Sequence, residues 1–269
     1  MKEIKRENLD TCSEIEVESS GISGTRYKIW LKKGNKEILF KESKEHAGGE
    51  NTYEDISEVI SYEIGKVLGI KVVETGLGTY NGHNGSYSYK IDNLIELSSI
   101  ISNEELNYDK NHPFEKINYT FDYVEKFFYN KEEFYNLIVF DYIRAEVDRH
   151  PSNIGFVNNV LSPIYDNGNS FGSFLYEDEL DKEIKRISTL CYKTYKSSIG
   201  TAKERPALWN DIVSMYKDKL KNAIQNTLNK ENEIIDIFDN VTIDKLSDQR
   251  KELIKAIIKY KINYLKIFV

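Results

Sequence analysis

The stretch 148-DRHPSNIGFVNNVLSPIYD-166 decides the fold of this chain. Two strand-like runs, residues 154–157 and 161–165, flank Asn158-Asn159, a residue pair that is typical of a tight hairpin turn. A hairpin at this point brings the two ends of the stretch together. The apolar run FYNLIVFDYIRAEV (134–147) has the character of a helix that leads into it.

Three polar groups at the ends of this stretch suit phosphoryl transfer. Asp148 would orient the attacking hydroxyl, while Asn153 and Asp166 would hold the Mg²⁺ that neutralises the phosphates. His150 could share the proton transfer, although a hydrogen bond within the loop is the simpler role for it. Arg149 would pair with a carboxylate and brace the loop. The alternative is an ordinary polar loop, because Asp and Asn are common turn formers.

This stretch resembles the catalytic segment of the HipA-like kinases, including the smaller CtkA-like members. In that pattern DRHxxN is followed by a short hairpin and then by YD. Phosphoinositide kinases carry a related DRHxxN but follow it with an Asp-Phe-Gly-type motif, whereas this chain has Tyr165-Asp166-Asn167. The resemblance implies an α+β, two-lobed kinase fold with ATP and Mg²⁺ as cofactors. We expect a sheet-rich N-lobe over residues 1–92 and a mainly helical C-lobe over 93–269.

The composition sets limits on the function. The 269 residues suffice for one large domain or two lobes, and the net charge of −7 gives no reason to expect direct nucleic-acid binding. No apolar run is long enough to cross a membrane, and the first residues lack the apolar core of a signal peptide. Cys12, Cys191 and the four scattered histidines have no metal-ligand spacing, so we expect a reduced cytoplasmic protein without zinc, although secretion as an effector is compatible with the sequence.

A Gly/Ser-rich turn over residues 19–25, SSGISGT, separates two predicted strands. Backbone N–H groups in such a turn approach phosphates closely, because glycine has no side chain in the way. We therefore assign Ser20, Gly21, Ser23 and Gly24 to nucleotide binding, although most such turns have no ligand. The resemblance also implies autophosphorylation of a serine in this loop, with Ser19, Ser20 and Ser23 as candidates.

Lys41 ends a short predicted strand, EILFK (37–41). Alternation places Ile38 and Phe40 on one face of that strand and Leu39 and Lys41 on the other. A lysine among apolar residues needs a partner or a ligand, and in the kinase interpretation Lys41 contacts the α- and β-phosphates. The alternative is a strand-end lysine that reaches solvent.

The helix predicted over residues 53–68 should carry the carboxylate that fixes Lys41, and Gly69 should end it. Its acidic candidates are Glu54, Glu58 and Glu63. Helical spacing places Glu63 nearer the apolar face, whereas the resemblance favours Glu58. We take Glu58 and keep Glu63 as the rival.

The remaining elements follow from periodicity and turn residues. Strands over 71–80 and 86–91 flank NGHNG (81–85), and the second strand leads to an adenine-binding hinge near Tyr87–Asp92. Helices are predicted over 92–102, 119–129, 131–146 and most of the tail from Pro206. The acidic segment 168–184 occupies the place of an activation or substrate loop.

Two departures from the family pattern bear on function. Members of the family often have Asn two residues before the catalytic Asp, where this chain has Glu146. We expect no counterpart here of the N-terminal subdomain that contacts an antitoxin in longer HipA proteins, so any such partner would be a separate chain or would bind elsewhere on this one.

The sequence favours a protein serine/threonine kinase that acts on an unknown protein and on itself, with a toxin or effector role implied by the resemblance. The alternatives are a small-molecule or lipid kinase, a catalytically inactive nucleotide-binding pseudokinase and an α+β interaction domain. A lipid kinase should carry a basic loop after Asp166, but residues 168–184 are acidic.

Overall fold

Strands dominate the first third of the molecule and helices the rest, which confirms the α+β prediction. The computed structural model describes residues 2–15, 27–44, 52–104, 119–203 and 206–269. The strands are β1 (Lys2–Ile4), β2 (Glu7–Asn8), β3 (Ser13–Glu14), β4 (Lys28–Lys33), β5 (Lys36–Glu42), β6 (Thr75–Tyr80), β7 (His83–Tyr89), β8 (Ile95–Glu96), β9 (Gly155–Val157), β10 (Val160–Leu161), β11 (Lys196–Ser197), β12 (Ala207–Leu208) and β13 (Val241–Ile243). The helices are α1 (Glu54–Leu68), α2 (Leu97–Glu104), α3 (Phe121–Glu125), α4 (Lys131–Arg144), α5 (Leu180–Lys185), α6 (Ile187–Thr189), α7 (Trp209–Met215), α8 (Lys217–Asn229), α9 (Glu231–Asn240) and α10 (Asp248–Leu265).

The main sheet has the strand order β2-β6-β7-β5-β4-β3. Its strand β5 pairs antiparallel with both β4 and β7, so its side chains alternate between two covered faces. Ile38 and Phe40 are fully buried on one face, while Leu39 and Lys41 border a cavity on the other. The alternation predicted for this strand is therefore confirmed.

The turn between β6 and β7 is shorter than predicted. It comprises Asn81 and Gly82, which both have positive φ (48° and 81°), as a two-residue hairpin turn requires. The second Asn-Gly pair of the predicted turn lies inside β7. A Cβ added at Gly85 would lie 2.0 Å from the carbonyl oxygen of Lys41, so the close pairing of β7 with β5 requires glycine there.

Helix α1 follows its prediction closely. It ends at Gly69, whose φ of 70° lies in the left-handed region that glycine adopts readily. The chain that leaves the helix is joined directly to the segment that follows the β9–β10 hairpin, because Val72 pairs with Ile164 and two backbone hydrogen bonds flank that pair. The main sheet and the helical part are thus connected through this pair of residues.

Two predicted helices are shorter than expected. Helix α3 occupies Phe121–Glu125, not 119–129, because the next backbone N–H groups bond three residues back. Lys131 then binds the carbonyl oxygens of Glu125 and Phe128 and closes that end. The helix predicted over 92–102 begins only at Leu97, since β8 before it pairs with β9.

The tail is mainly helical, but β13 within it was not predicted. Strand β13 pairs in parallel with β1, which was also missed, so the first described residues lie against the helical part. Arg6 adds to this contact: it binds Asp55 of α1 at 2.8 Å, approaches Asp244 at 3.4 Å and donates to the carbonyl oxygens of Gly78 and Gly85.

Helix α10 contains a lysine in the hydrophobic core. Lys261 is completely buried, donates to the carbonyl oxygen of Cys191 at 3.3 Å and lies 4.4 Å from the centre of the Tyr142 ring. No ion pair between described residues includes it. Burial lowers the pKa of Lys261 to about 8.

Within the described ranges, no helix combines the length and apolar character that a membrane-spanning segment requires. The same part of the chain has no cluster of three or more His, Cys, Asp or Glu side chains arranged to hold a metal ion.

Candidate active site

A cavity of about 520 Å³ lies between the main sheet and the catalytic hairpin. Strand β5 contributes Leu39 and Lys41 to its wall, and the loop after α4 contributes His150 and Asn153. Asp166, at the end of the hairpin, completes this polar end. The other lining residues are Lys28, Trp30, Val73, Ser88, Tyr89, Lys90, Ile91, Asn93, Leu94, Glu96, Ser152 and Tyr165.

The hairpin predicted from the deciding stretch is confirmed. Strands β9 and β10 pair antiparallel around Asn158 and Asn159, which both have positive φ (52° and 64°). The second strand is only two residues long, because Pro163 has no N–H and Ile164 pairs with Val72 instead. Asp166 itself has a φ of 54°, a left-handed conformation in which Asp is tolerated better than most residues.

A sharp change in the direction of the chain after helix α4 positions Asp148. Ala145 ends the helix in the left-handed region, with a φ of 53°. The Asp148 N–H then donates to Glu146, and Asp148 Oδ2 accepts a hydrogen bond from Asn169 Nδ2 at 2.9 Å. The carboxylate is therefore oriented from the segment that follows the hairpin.

Arg149 holds the loop and the hairpin together, as the predicted bracing role requires. Its guanidinium is fully buried and binds both carboxylate oxygens of Asp141. Its remaining donors reach the carbonyl oxygens of Asn153 and Tyr165 and the side-chain oxygen of Asn167. One side chain thus fixes the residue before Ile154 and the residues on both sides of Asp166.

Asn153 and Asp166 both border the cavity, as does Lys41. The Asn153 Nδ2 donates to the carbonyl oxygen of Asp148 at 2.8 Å, so its Oδ1 is the atom left to act as a ligand. The Lys41 ammonium lies 3.0 Å from Asp166 Oδ1. Lys41 is therefore not a solvent-facing lysine at a strand end.

Glu58 belongs to the same charge cluster, whereas Glu63 does not. Burial raises the pKa of Glu58, the charge of Lys41 opposes that rise and the charge of Asp166 adds to it. One oxygen of the Glu58 carboxylate, Oε2, is buried and has no hydrogen-bond partner among the described residues. Glu63 instead binds Lys2 and Lys66, each at 2.6 Å.

Glu54, the third acidic candidate on α1, binds the backbone of the segment that follows β5. It is buried, and its carboxylate accepts the backbone N–H of Lys44 at 3.1 Å.

His150 lies in the catalytic loop and caps the short helical turn that follows it. Its Nδ1 accepts the backbone N–H of Ser152 at 3.2 Å, so a neutral ring carries its proton on Nε2. This hydrogen bond within the loop matches the simpler of its two expected roles, and a part in proton transfer stays a prediction.

Glu146, the departure from the family pattern, is fully buried beneath the loop. Its carboxylate accepts the Asp148 N–H at 2.8 Å and the Ser170 hydroxyl at 2.7 Å, and it lies 3.8 Å from Arg144. Burial raises the pKa of Glu146 to about 7, although the charges of Arg149 and Arg144 oppose that rise. The residue therefore supports the loop from below and does not border the cavity.

Sequence reasoning missed the network that supports the catalytic loop. Arg144 binds Asp141, Ser61 and Ser170, all of them buried, and so joins α4 to α1 and to the segment after the hairpin. Asn169, which orients Asp148, was also missed. The only signal was the presence of charged residues, Asp141 and Arg144, within an apolar helical run.

The structure bears on the predicted hinge but not on the predicted phosphate-binding loop. Ser88, Tyr89, Lys90 and Ile91 border the cavity, in the region where adenine was expected. The predicted phosphate-binding residues Ser20, Gly21, Ser23 and Gly24, with Ser19, lie outside the described residues.

No protein-family model matches this chain, and no curated protein matches it in sequence. Its structure is similar to the crystal structure of the Helicobacter pylori proinflammatory kinase CtkA, with a TM-score of 0.78 over 98% of both chains and 19% identity. The fold is that of a two-lobed protein kinase. The kinase fold also appears in the similarity to HipA of Shewanella oneidensis, solved with HipB and operator DNA as a toxin–antitoxin system, with a TM-score of 0.58 and 12% identity. That match covers 92% of this chain and 64% of HipA.

In the kinase fold, the cavity lies where the two lobes face each other. The exact division of the chain at residues 92 and 93 stays a prediction.

Proposed function

We propose that this chain is an ATP- and Mg²⁺-dependent protein serine/threonine kinase of the HipA/CtkA-like type. The observation that carries the proposal is the convergence of Lys41, Asn153 and Asp166 on one cavity, with Asp148 held beside them by Asn169. Lys41 supplies a cation for phosphate, Asn153 and Asp166 supply oxygen ligands for a metal, and Asp148 supplies a carboxylate for the attacking hydroxyl. Together these groups meet the requirements of phosphoryl transfer.

ATP would lie with its base against residues 88–91 and its phosphates toward Lys41. Lys41 would then exchange its contact with Asp166 for contacts with the phosphates and with Glu58. The buried, unpartnered Oε2 of Glu58 supports this exchange, since it offers an acceptor that the ammonium could bind.

The residues that would hold Mg²⁺ are Asn153, through Oδ1, and Asp166, through its carboxylate. Both are oxygen ligands of the kind that Mg²⁺ prefers, and both border the cavity. When bound, the ion supplies positive charge that neutralises the phosphate oxygens. The fixed Nδ2 of Asn153 and the bonds of Arg149 on both sides of Asp166 would hold these ligands in place.

Asp148 would accept or orient the proton of the acceptor hydroxyl. Its hydrogen bonds with Glu146 and Asn169 fix the backbone and one carboxylate oxygen, so little reorganisation is needed at the moment of reaction. Catalysis would then rest mainly on placement and electrostatics.

The enzyme would also phosphorylate itself, with Ser19, Ser20 and Ser23 as candidate sites, and would act in the cytoplasm unless it is secreted as an effector. A toxin role, with an antitoxin as a separate chain, follows from the resemblance to HipA-like kinases alone.

The test is phosphate transfer from γ-labelled ATP with Mg²⁺, with mass spectrometry to locate the label. Asp148→Asn should lower the rate at least about 100-fold with ATP binding retained, and Asp166→Asn should also abolish the Mg²⁺ dependence of ATP binding. Asp218→Asn, an exposed acid on α8, is the matched control and should behave as the wild type. Mg²⁺-dependent ATP binding with no transfer to any protein would favour a pseudokinase, and no ATP binding would refute the proposal.

A further inference from the structure

A second cavity, of about 390 Å³, borders the catalytic loop at Val147 and Asp148. Asp148 borders this cavity, while its neighbours His150 and Asn153 border the first. The other lining residues are Val147, Phe174, Thr194, Tyr195, Lys196, Ser198 and Pro206. The side chain expected to take up the hydroxyl proton is therefore reached from a cavity that is separate from the one assigned to nucleotide.

One wall of this second cavity is apolar and fixed in position. The Phe174 ring is 39% exposed and packs edge-on against Tyr195, with 6.3 Å between the ring centres. Arg250, buried in α10, donates to the carbonyl oxygens of Gly172 and Leu175, on both sides of Phe174. These contacts hold the Phe174 wall in position.

A basic segment, residues 185–203, contributes four of the lining residues: Thr194, Tyr195, Lys196 and Ser198. It contains Lys185, Arg186, Lys193, Lys196 and Lys203 and no acidic residue, in a chain whose net charge is −7. Lys193 and Lys196 are exposed, and Lys196 borders the cavity itself. A cavity with walls of low dielectric concentrates the field of such charges, so an anionic group is attracted to it.

We propose, on the basis of the kinase function proposed above, that this second cavity binds the phosphate acceptor, and that the acceptor is a serine or threonine flanked by acidic residues in a polypeptide. The acceptor oxygen forms a bond to the γ-phosphorus of ATP, the bond from that phosphorus to the β–γ bridging oxygen breaks, and ADP leaves. The hydroxyl proton passes to Asp148. Acidic neighbours of the acceptor face Lys196 and Lys193, and an apolar neighbour contacts Phe174.

An acidic peptide fits these observations better than an anionic membrane does. The segment next to Phe174 in sequence, residues 177–183, contains five carboxylates. A flat anionic surface would meet those carboxylates together with the basic segment, whereas a peptide occupies only the cavity.

The experiment compares synthetic peptides with a central serine and either Glu or Gln at the flanking positions, as substrates of the full chain with ATP and Mg²⁺. The wild type should show a KM for the Glu peptide about 3–10-fold lower than for the Gln peptide, and added salt should reduce that ratio. Lys196→Glu should remove or reverse the preference with little change in kcat, and Lys193→Glu should weaken it. Lys259→Glu, an exposed lysine of α10 that borders neither cavity, is the control and should keep the preference.

Equal KM values for the two peptides in an enzyme that binds and turns over ATP would overturn this inference and leave the proposed function intact. Binding to anionic vesicles that Lys196→Glu abolishes, without discrimination between the peptides, would assign the basic segment to a membrane and would also overturn it. A wild-type chain that binds no ATP would refute the proposed function, and the inference with it.

Discussion

Removal of the ammonium group at Lys41 should destabilise the protein, because two carboxylates depend on that charge. Lys41→Met leaves Asp166, whose carboxylate lies 3.0 Å from the ammonium, and Glu58, which is 6% exposed, without a cation between them. Loss of one partner of a fully buried ion pair costs about 3–5 kcal/mol. The Asp166 side chain is 29% exposed, so solvent screens part of this effect, and we expect a loss of about 2–3 kcal/mol in the free energy of unfolding.

The pH dependence of this loss has a definite sign. The pKa of Glu58 in the folded protein is already raised, mainly by burial, and removal of Lys41 takes away the charge that opposes the rise. A protonated Glu58 needs no cation. The destabilisation by Lys41→Met should therefore be largest above the raised pKa and should shrink as the pH falls through it.

Urea denaturation at several pH values measures the loss of stability and its pH dependence. A double-mutant cycle separates the interaction of Lys41 with Glu58 from other consequences of the substitution. Lys41→Met combined with Glu58→Gln should recover part of the lost stability, with a coupling of about 1–3 kcal/mol. The matched control is Glu63→Gln on the same helix, whose partners are Lys2 and Lys66, and it should show no coupling to Lys41. A Lys41→Met protein as stable as the wild type, or equal coupling of Lys41 to both glutamates, would refute the geometry described for this cluster.

Three further substitutions test other parts of the structure. Arg149→Lys keeps the charge but loses the forked donors of the guanidinium. Urea denaturation should show a loss of about 2–4 kcal/mol in the free energy of unfolding, and an unchanged midpoint would contradict the bracing role. Lys261→Met should stabilise the protein by about 2–3 kcal/mol at neutral pH. Because the folded pKa of about 8 lies below the unfolded value, wild-type stability should rise with pH from about 8 to 10.5, and a flat profile would disprove the burial of the charge. Gly85→Ala places a Cβ against Lys41 and should lower the free energy of unfolding by more than about 2 kcal/mol. Gly34→Ala, where the space is open, should lower it by only about 1 kcal/mol.

The sequence alone was sufficient where local pattern and burial act together. Alternation in β5 predicts the inward position of Lys41, and the Asn158-Asn159 pair predicts the hairpin that carries Asp166. Helical spacing predicts α1 with its end at Gly69. Each of these signals depends on residues that are neighbours in the chain.

The rest could not be read from the sequence because it depends on contacts between distant residues. Spacing on the helix favoured Glu63, whereas the charges that act on Glu58 include Lys41 and Asp166, which are distant from it in the sequence. The buried position of Glu146 depends on Ser170, 24 residues away. The pairing of β1 with β13 joins segments too short to be recognised as strands by composition.

The pairing of β1 with β13 also bears on how far the sheet-rich and helical parts of the molecule can move relative to each other. An opening rotation of the lobes would have to break that ladder, the bridge between Val72 and Ile164, and the contacts of Arg6 with both sides. These three attachments would resist a change in the width of the cleft. Under the proposed kinase function, exchange of ADP for ATP would then require only local movement of the residues that line the cleft, without a large rotation of the two parts of the molecule.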